Sequence, residues 1–415
     1  MSMSMPRDRP WWRGSLVLGL AAAVIQATLA LAISGARLRV GLEDTDGYYG
    51  HATMIRRGMV PYRDFPVEYP PMALPLFLAA SFASRGPDGF KVAFAVEMLL
   101  FNAFAVLVVA WWVGRRQGEA AVPWRLAWYT LSFLILSRFV VTRYDAAPMA
   151  VGFAAAILWA CGRTAAGGAA AAIGAMAKVF PAVVAVVASV GDLRRGKARG
   201  RGAVAFALTS ATGVAAWFAL GGARGVSAAV RYHTGRGFEY GSLYSGAQML
   251  AAKLAGAEIT ISRDHASYSS ITAWSGAMTA WVLPLQAATL LLVCVVFARR
   301  GMGEGVRYSG AAVLAYIVTG KVFSPQYLIW LMPFMAVLEG PIAARGRRLF
   351  AAVCAMTLLA PAGLRSLPRT SLWVIVPYNA RNALIVWLLL LLVFGPSSGR
   401  SDDDRDIGLS ARGGT

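Results

Sequence analysis

Between residues 41 and 71 the chain reads Gly41-Leu-Glu-Asp-Thr-Asp-Gly-Tyr-Tyr-Gly-His51, runs on to Gly58, and continues as Pro61-Tyr-Arg-Asp-Phe-Pro-Val-Glu-Tyr-Pro-Pro71. Carboxylates at Asp44, Asp46 and Glu68 alternate at short range with the rings of Tyr48, Tyr49 and Tyr69. Such a mixture suits a sugar, because aromatic faces cover its apolar surface while carboxylates accept hydrogen bonds from its hydroxyls. A carboxylate here can also act as a general base towards a hydroxyl. Arg37, Arg39, Arg56, Arg57 and Arg63 stand in the same region. That group of cations points to an anionic ligand such as a lipid phosphate, with ordinary lipid headgroups as the plainer reading.

Further along, charges recur beside apolar runs: Arg143-Tyr-Asp145, Lys178-Val-Phe-Pro181, Arg236-Gly-Phe-Glu-Tyr-Gly-Ser242, Lys321-Val-Phe-Ser-Pro-Gln-Tyr327 and Arg381-Asn382. A charge in or beside an apolar span is costly and usually has a partner, so Lys178, Arg236 and Lys321 are candidates to meet a phosphate. For Lys178, snorkelling to the surface is the structural alternative. Asp145 either orients an acceptor or pairs with Arg143 beside it. Gln326 suits a sugar hydroxyl or a backbone carbonyl equally. Glu97 lies inside an apolar run with no sequence neighbour to pair with.

Other chemistries are not indicated. His51, His233 and His265 lack ligand spacing to one another or to a cysteine, so no metal site is expected. Neither a Walker loop nor a dinucleotide fingerprint is present, and no cofactor is expected. Cys161, Cys294 and Cys354 fall in apolar segments, where they read as small buried hydrophobes.

Asp44 with Tyr48 and Tyr49, followed by Gly58-x-x-Pro61-Tyr-Arg-Asp-Phe and Glu68-Tyr-Pro-Pro71, resembles the first outer loop of glycosyltransferase family 87. That family belongs to the GT-C superfamily of polyprenol-phosphate-sugar-dependent membrane transferases. The later motifs extend the resemblance along most of the chain. It implies a GT-C-like, all-α membrane fold and an inverting transfer from a polyprenyl phosphate sugar to a hydroxyl of a lipid or glycan acceptor. Mannose is the family's best-known donor sugar. By the same resemblance Asp44 is the base, and Asp46 is its rival because the family usually has an apolar or neutral residue there. The departing lipid phosphate needs cations rather than an acid. Either aspartate can instead cap a helix beginning near Gly47.

The elements that must position these residues are membrane helices. Hydrophobic residues make up 58% of the 415 and charged ones 14%, a balance that points to a membrane protein. Apolar segments lie near 15–34, 92–113, 122–141, 147–161, 165–177, 179–191, 203–221, 272–298, 308–319, 326–343, 349–364 and 382–395, which predicts about twelve spans. Ala30-Leu31-Ala32 resembles a signal-peptidase site, but so long an uncharged run favours an uncleaved anchor. The segment Pro70 to Ser84 is short and proline-rich, which suits an interfacial or re-entrant helix.

Basic residues set the orientation. Arg7, Arg9, Arg13, Arg115, Arg116, the cluster at 194–201, Arg299, Arg300, Arg345, Arg347 and Arg348 place both termini and the intervening basic loops in the cytoplasm of a multi-pass cell-membrane protein. Residues 36–91 and 222–271 then form two outer loops. Asp44, Asp145, Arg236, Lys321 and Arg381 all come out at the outer ends of spans. One transmembrane domain over 1–395 and a disordered cytoplasmic tail over 396–415 follow. The net charge of +20 is in part this positive-inside signal, and no nucleic-acid partner is expected. A secondary transporter and an envelope polysaccharide polymerase or ligase are the competing functions. Carriers usually hold ionisable groups near the midplane in repeated halves, and neither trait is visible here.

Overall fold

The computed structural model describes residues 12–34, 43–195, 200–264, 267–363 and 368–397. Arg37, Arg39, His265, Lys197, Arg199 and nearly all of the expected tail lie outside the described residues, as do the side chains of Arg194 and Arg195.

The chain is an all-α polytopic membrane protein, and the predicted spans fall on helices except 326–343, which is a 3-10 stretch (Pro325–Leu331), a six-residue helix (Met332–Val337) and a non-helical turn. The uncharged first segment is α1 (Trp12–Ser34), followed by α2 (Glu43–Arg56) and the short proline-led α3 (Leu74–Phe82). Pro87 near the start and Arg115 and Arg116 near the end delimit α4 (Gly86–Gln117), which begins before the expected residue 92. Next come α5 (Val122–Thr142), α6 (Ala146–Ala160), α7 (Thr164–Ala177), α8 (Pro181–Arg195) and α9 (Arg201–Thr234). The remaining helices are α10 (Leu243–Leu254), α11 (Ser275–Arg300), α12 (Gly305–Val318), α13 (Met332–Val337), α14 (Ala343–Gly363) and α15 (Leu372–Phe394). Five of them, α1, α4, α9, α11 and α15, are long and apolar enough to cross a membrane alone.

Helices α6, α7 and α8 have 15, 14 and 15 residues. Each is shorter than the ~20 residues a full crossing takes. Their breaks at Arg143–Asp145 and at Lys178 therefore fall within the bundle, where Asp145 is completely buried. Lys178 is extended (φ −157°, ψ 131°), and Pro181, which cannot continue the ladder of α7, begins α8.

The two expected outer loops are largely ordered. The first contains α2 and α3. In the second, α9 runs on past residue 221 to Thr234, bending at Gly222 (φ 60°), a left-handed conformation that favours glycine. A three-stranded antiparallel sheet follows, in the order β1 (Phe238–Glu239), β3 (Ser267–Ile271), β2 (Thr260–Asp264). Apolarity alone ended the expected span at 221 and started the last one at 382. Helix α15 begins ten residues earlier because its polar residues Asn379, Arg381 and Asn382 bond to the segment around α10.

Polar side chains clamp the first spans together: Asn102 donates to Gln26 (2.7 Å), Tyr129 to Asn102 (2.8 Å) and Gln26 to Thr130 (2.9 Å). Small residues bring α7 against α9, where a Cβ on Gly168 would collide with the Gly202 carbonyl oxygen. At the basic end, Arg307 pairs with Glu304 (2.6 Å) and donates to the Gly395 carbonyl (2.7 Å), closing the C-terminus of α15. Cys294 and Cys354 are buried as expected, but Cys161 is exposed, because α6 stops at Ala160 and leaves it in the turn.

Candidate active site

The charged motifs meet at the other end of the bundle. Asp44 lies in the first turn of α2, and the Arg143 guanidinium, just past the end of α5, forms an ion pair with its carboxylate. Because α2 starts at Glu43 and not near Gly47, neither Asp44 nor Asp46 is an N-cap. Residues two apart on a helix point to nearly opposite sides. Asp46 accordingly turns away, to Lys91 at 3.2 Å. Tyr48, one turn beyond Asp44, shares its face and is buried, stacked on Phe77 (4.3 Å) and edge-on to Tyr144 (5.8 Å) and Tyr69 (5.7 Å). Tyr49 packs on the other side, against Phe90 at 5.4 Å.

One residue past Tyr144, the buried Asp145 accepts from Lys178 Nζ (2.7 Å) and from Trp330 Nε1 (2.6 Å) through a single oxygen, Oδ1. Its Oδ2 is buried with no hydrogen bond. The sequence offered Arg143 as the partner of Asp145; the structure gives Arg143 to Asp44 and Lys178 to Asp145, because Arg143 is extended and Asp145 already begins the next helix. The Lys178 ammonium sits over the rings of Tyr144 (4.6 Å), Tyr327 and Trp330 (both 5.4 Å).

The third wall is built from three motifs. Lys321 Nζ donates to the carbonyls of Thr234 (2.7 Å) and Arg236 (2.8 Å), tying off the end of α9. Arg236 donates to Ser267 (3.1 Å), lies 4.0 Å from Glu239, and has a buried Nε with no hydrogen bond. Glu239 accepts from Ser324 (3.1 Å), and its backbone amide donates to the Lys321 carbonyl (2.9 Å). Burial raises the Glu239 carboxyl above its ordinary value, with Arg236, Ser324, Arg143 and Arg381 working against the shift. Arg381 and Asn382 of α15 donate to the carbonyls of Gly241 (2.5 Å) and Ser242 (3.2 Å).

Glu68 joins the cluster through two histidines, with its carboxylate 3.5 Å from His51 and its backbone carbonyl 2.7 Å from His233 Nε2. Burial favours the protonated Glu68 carboxyl, but His51 and the residue's own backbone amide outweigh this and hold it below its ordinary value.

One end of the bundle carrying carboxylates, cations and aromatic rings, with several buried polar atoms unsatisfied, has the make-up of a site for a charged, hydroxyl-rich substrate. The family model of glycosyltransferase family 87 matches residues 67–325, more than half of the chain. The chain belongs to glycosyltransferase family 87. It is therefore a membrane glycosyltransferase, and its substrates are a sugar donor and an acceptor. No curated protein matches the chain. The family 87 match begins after Asp44, Asp46, Tyr48, Tyr49 and Arg63 and ends before Gln326 and Arg381. Contacts with Arg143 and Tyr144, inside the matched segment, bring Asp44 and Tyr48 to it.

Of the residues singled out from sequence, the fold gathers Asp44, Tyr48, Glu68, Tyr69, Asp145, Lys178, Arg236 and Lys321 at this end. Arg63 stays out of the cluster, in a two-point pair with its neighbour Asp64 (2.8 and 3.1 Å). Gln326 is half-buried on the turn after Pro325, without a side-chain hydrogen bond among the described residues. Sequence reasoning missed Glu239, Tyr144 and Trp330 as site residues. Glu239 and Tyr144 stood inside quoted motifs, whereas Trp330 gave no signal beyond its place in an apolar span.

Proposed function

We propose that this family 87 enzyme transfers a sugar, with mannose the first to test, from a polyprenyl phosphate donor to a hydroxyl of a lipid or glycan acceptor on the outer face of the cell membrane, with inversion. The observation that carries the reading is the Asp44 carboxylate held by Arg143 beside the buried Asp145–Lys178 pair and Arg236. Asp44 takes the acceptor hydroxyl's proton as the oxygen bonds to the anomeric carbon. The bond from that carbon to the phosphate oxygen breaks, and the polyprenyl phosphate leaves with the electron pair. Cations suit that leaving group, and Arg236 has buried donor capacity unused. Asp145 and Lys178 orient the reactants, Lys321 holds Arg236 in place, and Tyr48, Tyr69 and Glu68 shape the sugar side.

Incubating membranes that contain the enzyme with labelled polyprenyl phosphate sugars, then identifying the labelled product, tests the reading. A labelled glycolipid or glycan, absent from membranes lacking the protein, is the expected result. Transfer from nucleotide sugars alone would contradict the donor assignment, and movement of intact substrate without a new glycosidic bond would favour a carrier.

A further inference from the structure

Beyond Glu239 lies a cavity of about 150 Å³, lined among others by Glu239, Tyr268, Phe323, Arg369, Tyr378 and Arg381. Its two guanidinium groups are held by rings: Arg381 lies over Phe323 (3.9 Å to the centroid) and Arg369 over Tyr268 (3.4 Å). The aromatic faces are thus covered by cations, which leaves the guanidinium donors as the lining chemistry. Arg381 is 2% exposed and, among the described residues, makes one hydrogen bond (to the Gly241 carbonyl) and has a buried Nε with no hydrogen-bond partner. Arg369 is exposed, and its side chain makes no hydrogen bond or ion pair among the described residues.

A buried arginine with most of its donors unused is costly unless something accepts them. Rigid, stacked guanidinium forks match the paired oxygens of a phosphate better than a hydroxyl-rich sugar. The one carboxylate in the wall, Glu239, is turned to Ser324 (3.1 Å) and Arg236 (4.0 Å), which offset its repulsion of an anion. The backbone holds the arrangement in place. A Cβ on Gly241 would stand 3.5 Å from Arg381 Nη2, and one on Gly246 would stand 2.8 Å from Asn382 Nδ2, so α10 and α15 approach as closely as glycine permits.

We propose that the Arg369–Arg381 cavity is a phosphoryl-binding subsite adjoining the charged cluster through Glu239. The proposal rests on the reading above for the lipid nature of the substrates. The phosphoryl group has two sources, the monophosphate of the polyprenyl donor or the phosphodiester of an anionic acceptor lipid.

The test uses full-length protein in neutral detergent, with thermal stabilisation as the readout. The probes are a polyprenyl monophosphate, an anionic phosphodiester lipid (phosphatidylglycerol) and an uncharged polyprenol. Arg369→Ala, which changes an exposed side chain, is the first variant, and Arg381→Lys is the second. Arg369→Ala is expected to weaken one phosphate-bearing probe ~10-fold or more, as for loss of a charged hydrogen bond, and to leave the polyprenol unaffected. Loss for the monophosphate assigns the subsite to the donor; loss for the phosphodiester assigns it to the acceptor. Wild-type affinity for both phosphate probes in Arg369→Ala, or an equal loss for the uncharged polyprenol, overturns the proposal. Asp44→Asn separates this result from the catalytic reading, since it is expected to bind both phosphate probes as wild type does whether or not Asp44 is the base.

Discussion

The Arg143 guanidinium pairs with the Asp44 carboxylate, so the first turn of α2 is tied to the end of α5. Two residues further on, Asp145 is tied to Lys178, between α7 and α8. One three-residue motif thus fixes both ends of the charged cluster. The tyrosine between, Tyr144, packs edge-on against Tyr48 and Tyr69 at 5.8 and 5.3 Å.

Asp145 is completely buried and Lys178 largely so, and removing one partner of a buried pair typically costs ~3 to 5 kcal/mol because the other charge is left unpaired. Lys178→Met is therefore expected to melt well below wild type in detergent, and Asp145→Asn combined with Lys178→Met is expected to recover much of the loss. A single Lys178→Met variant that melts with wild type would show that the pair does not hold the site together.

Arg236 is expected to hold the donor phosphate, with Lys321 acting through it. Arg236→Ala should weaken donor binding by ~1.5 to 3 kcal/mol, the range for a hydrogen bond to a charged group. Lys321→Ala should also weaken it, and the double variant should lose little more than Arg236→Ala alone. Additive losses would mean that Lys321 meets the donor by itself, and unchanged affinity in both single variants would remove them from the site.

Glu239 makes stability depend on pH. Burial raises its carboxyl above the ordinary 4.5, so the folded protein holds this proton more tightly than the unfolded chain does. Its stabilising contribution is complete below the unfolded value and is lost as pH rises through the folded one. Melting temperatures over roughly pH 4 to 8 should therefore fall for wild type relative to Glu239→Gln as pH increases. Parallel curves would contradict the account of Glu239.

Much of this was legible in the chain. Apart from 326–343, which Pro325 and Pro333 break into short pieces, the apolar runs became helices, and most motif residues arrived at one end, because hydropathy records burial. Contacts between motifs were not legible. Sequence proximity suggested that Arg143 and Asp145 pair with each other, whereas a helix break separates their directions and gives each a distant partner. The roles of Trp330 and Glu239 depend on neighbours 185 and 85 residues away, which no local pattern encodes. Helix ends were misjudged where polar residues such as Arg381 are satisfied by another segment, since apolarity alone counts them as breaks.

Orientation is open to labelling. Cys161 is exposed near Arg115 and Arg116, and Arg57 is exposed after α2 at the site end. In intact cells a membrane-impermeant maleimide should label Arg57→Cys, while native Cys161 should react only after permeabilisation. The reverse pattern would turn the proposed topology over.

The measurement that bears most directly on the mechanism is single-turnover transfer from a labelled polyprenyl phosphate sugar by purified Asp44→Asn and Asp46→Asn proteins. Asparagine keeps the size of aspartate but does not accept a proton at neutral pH. Loss of a general base typically lowers the rate ~100- to 10,000-fold. Asp46 is engaged with Lys91 on the other face of α2, so its replacement should leave clear activity. The account predicts that Asp44→Asn folds, binds donor and transfers almost no sugar, while Asp46→Asn turns over. Near-wild-type transfer by Asp44→Asn would contradict it.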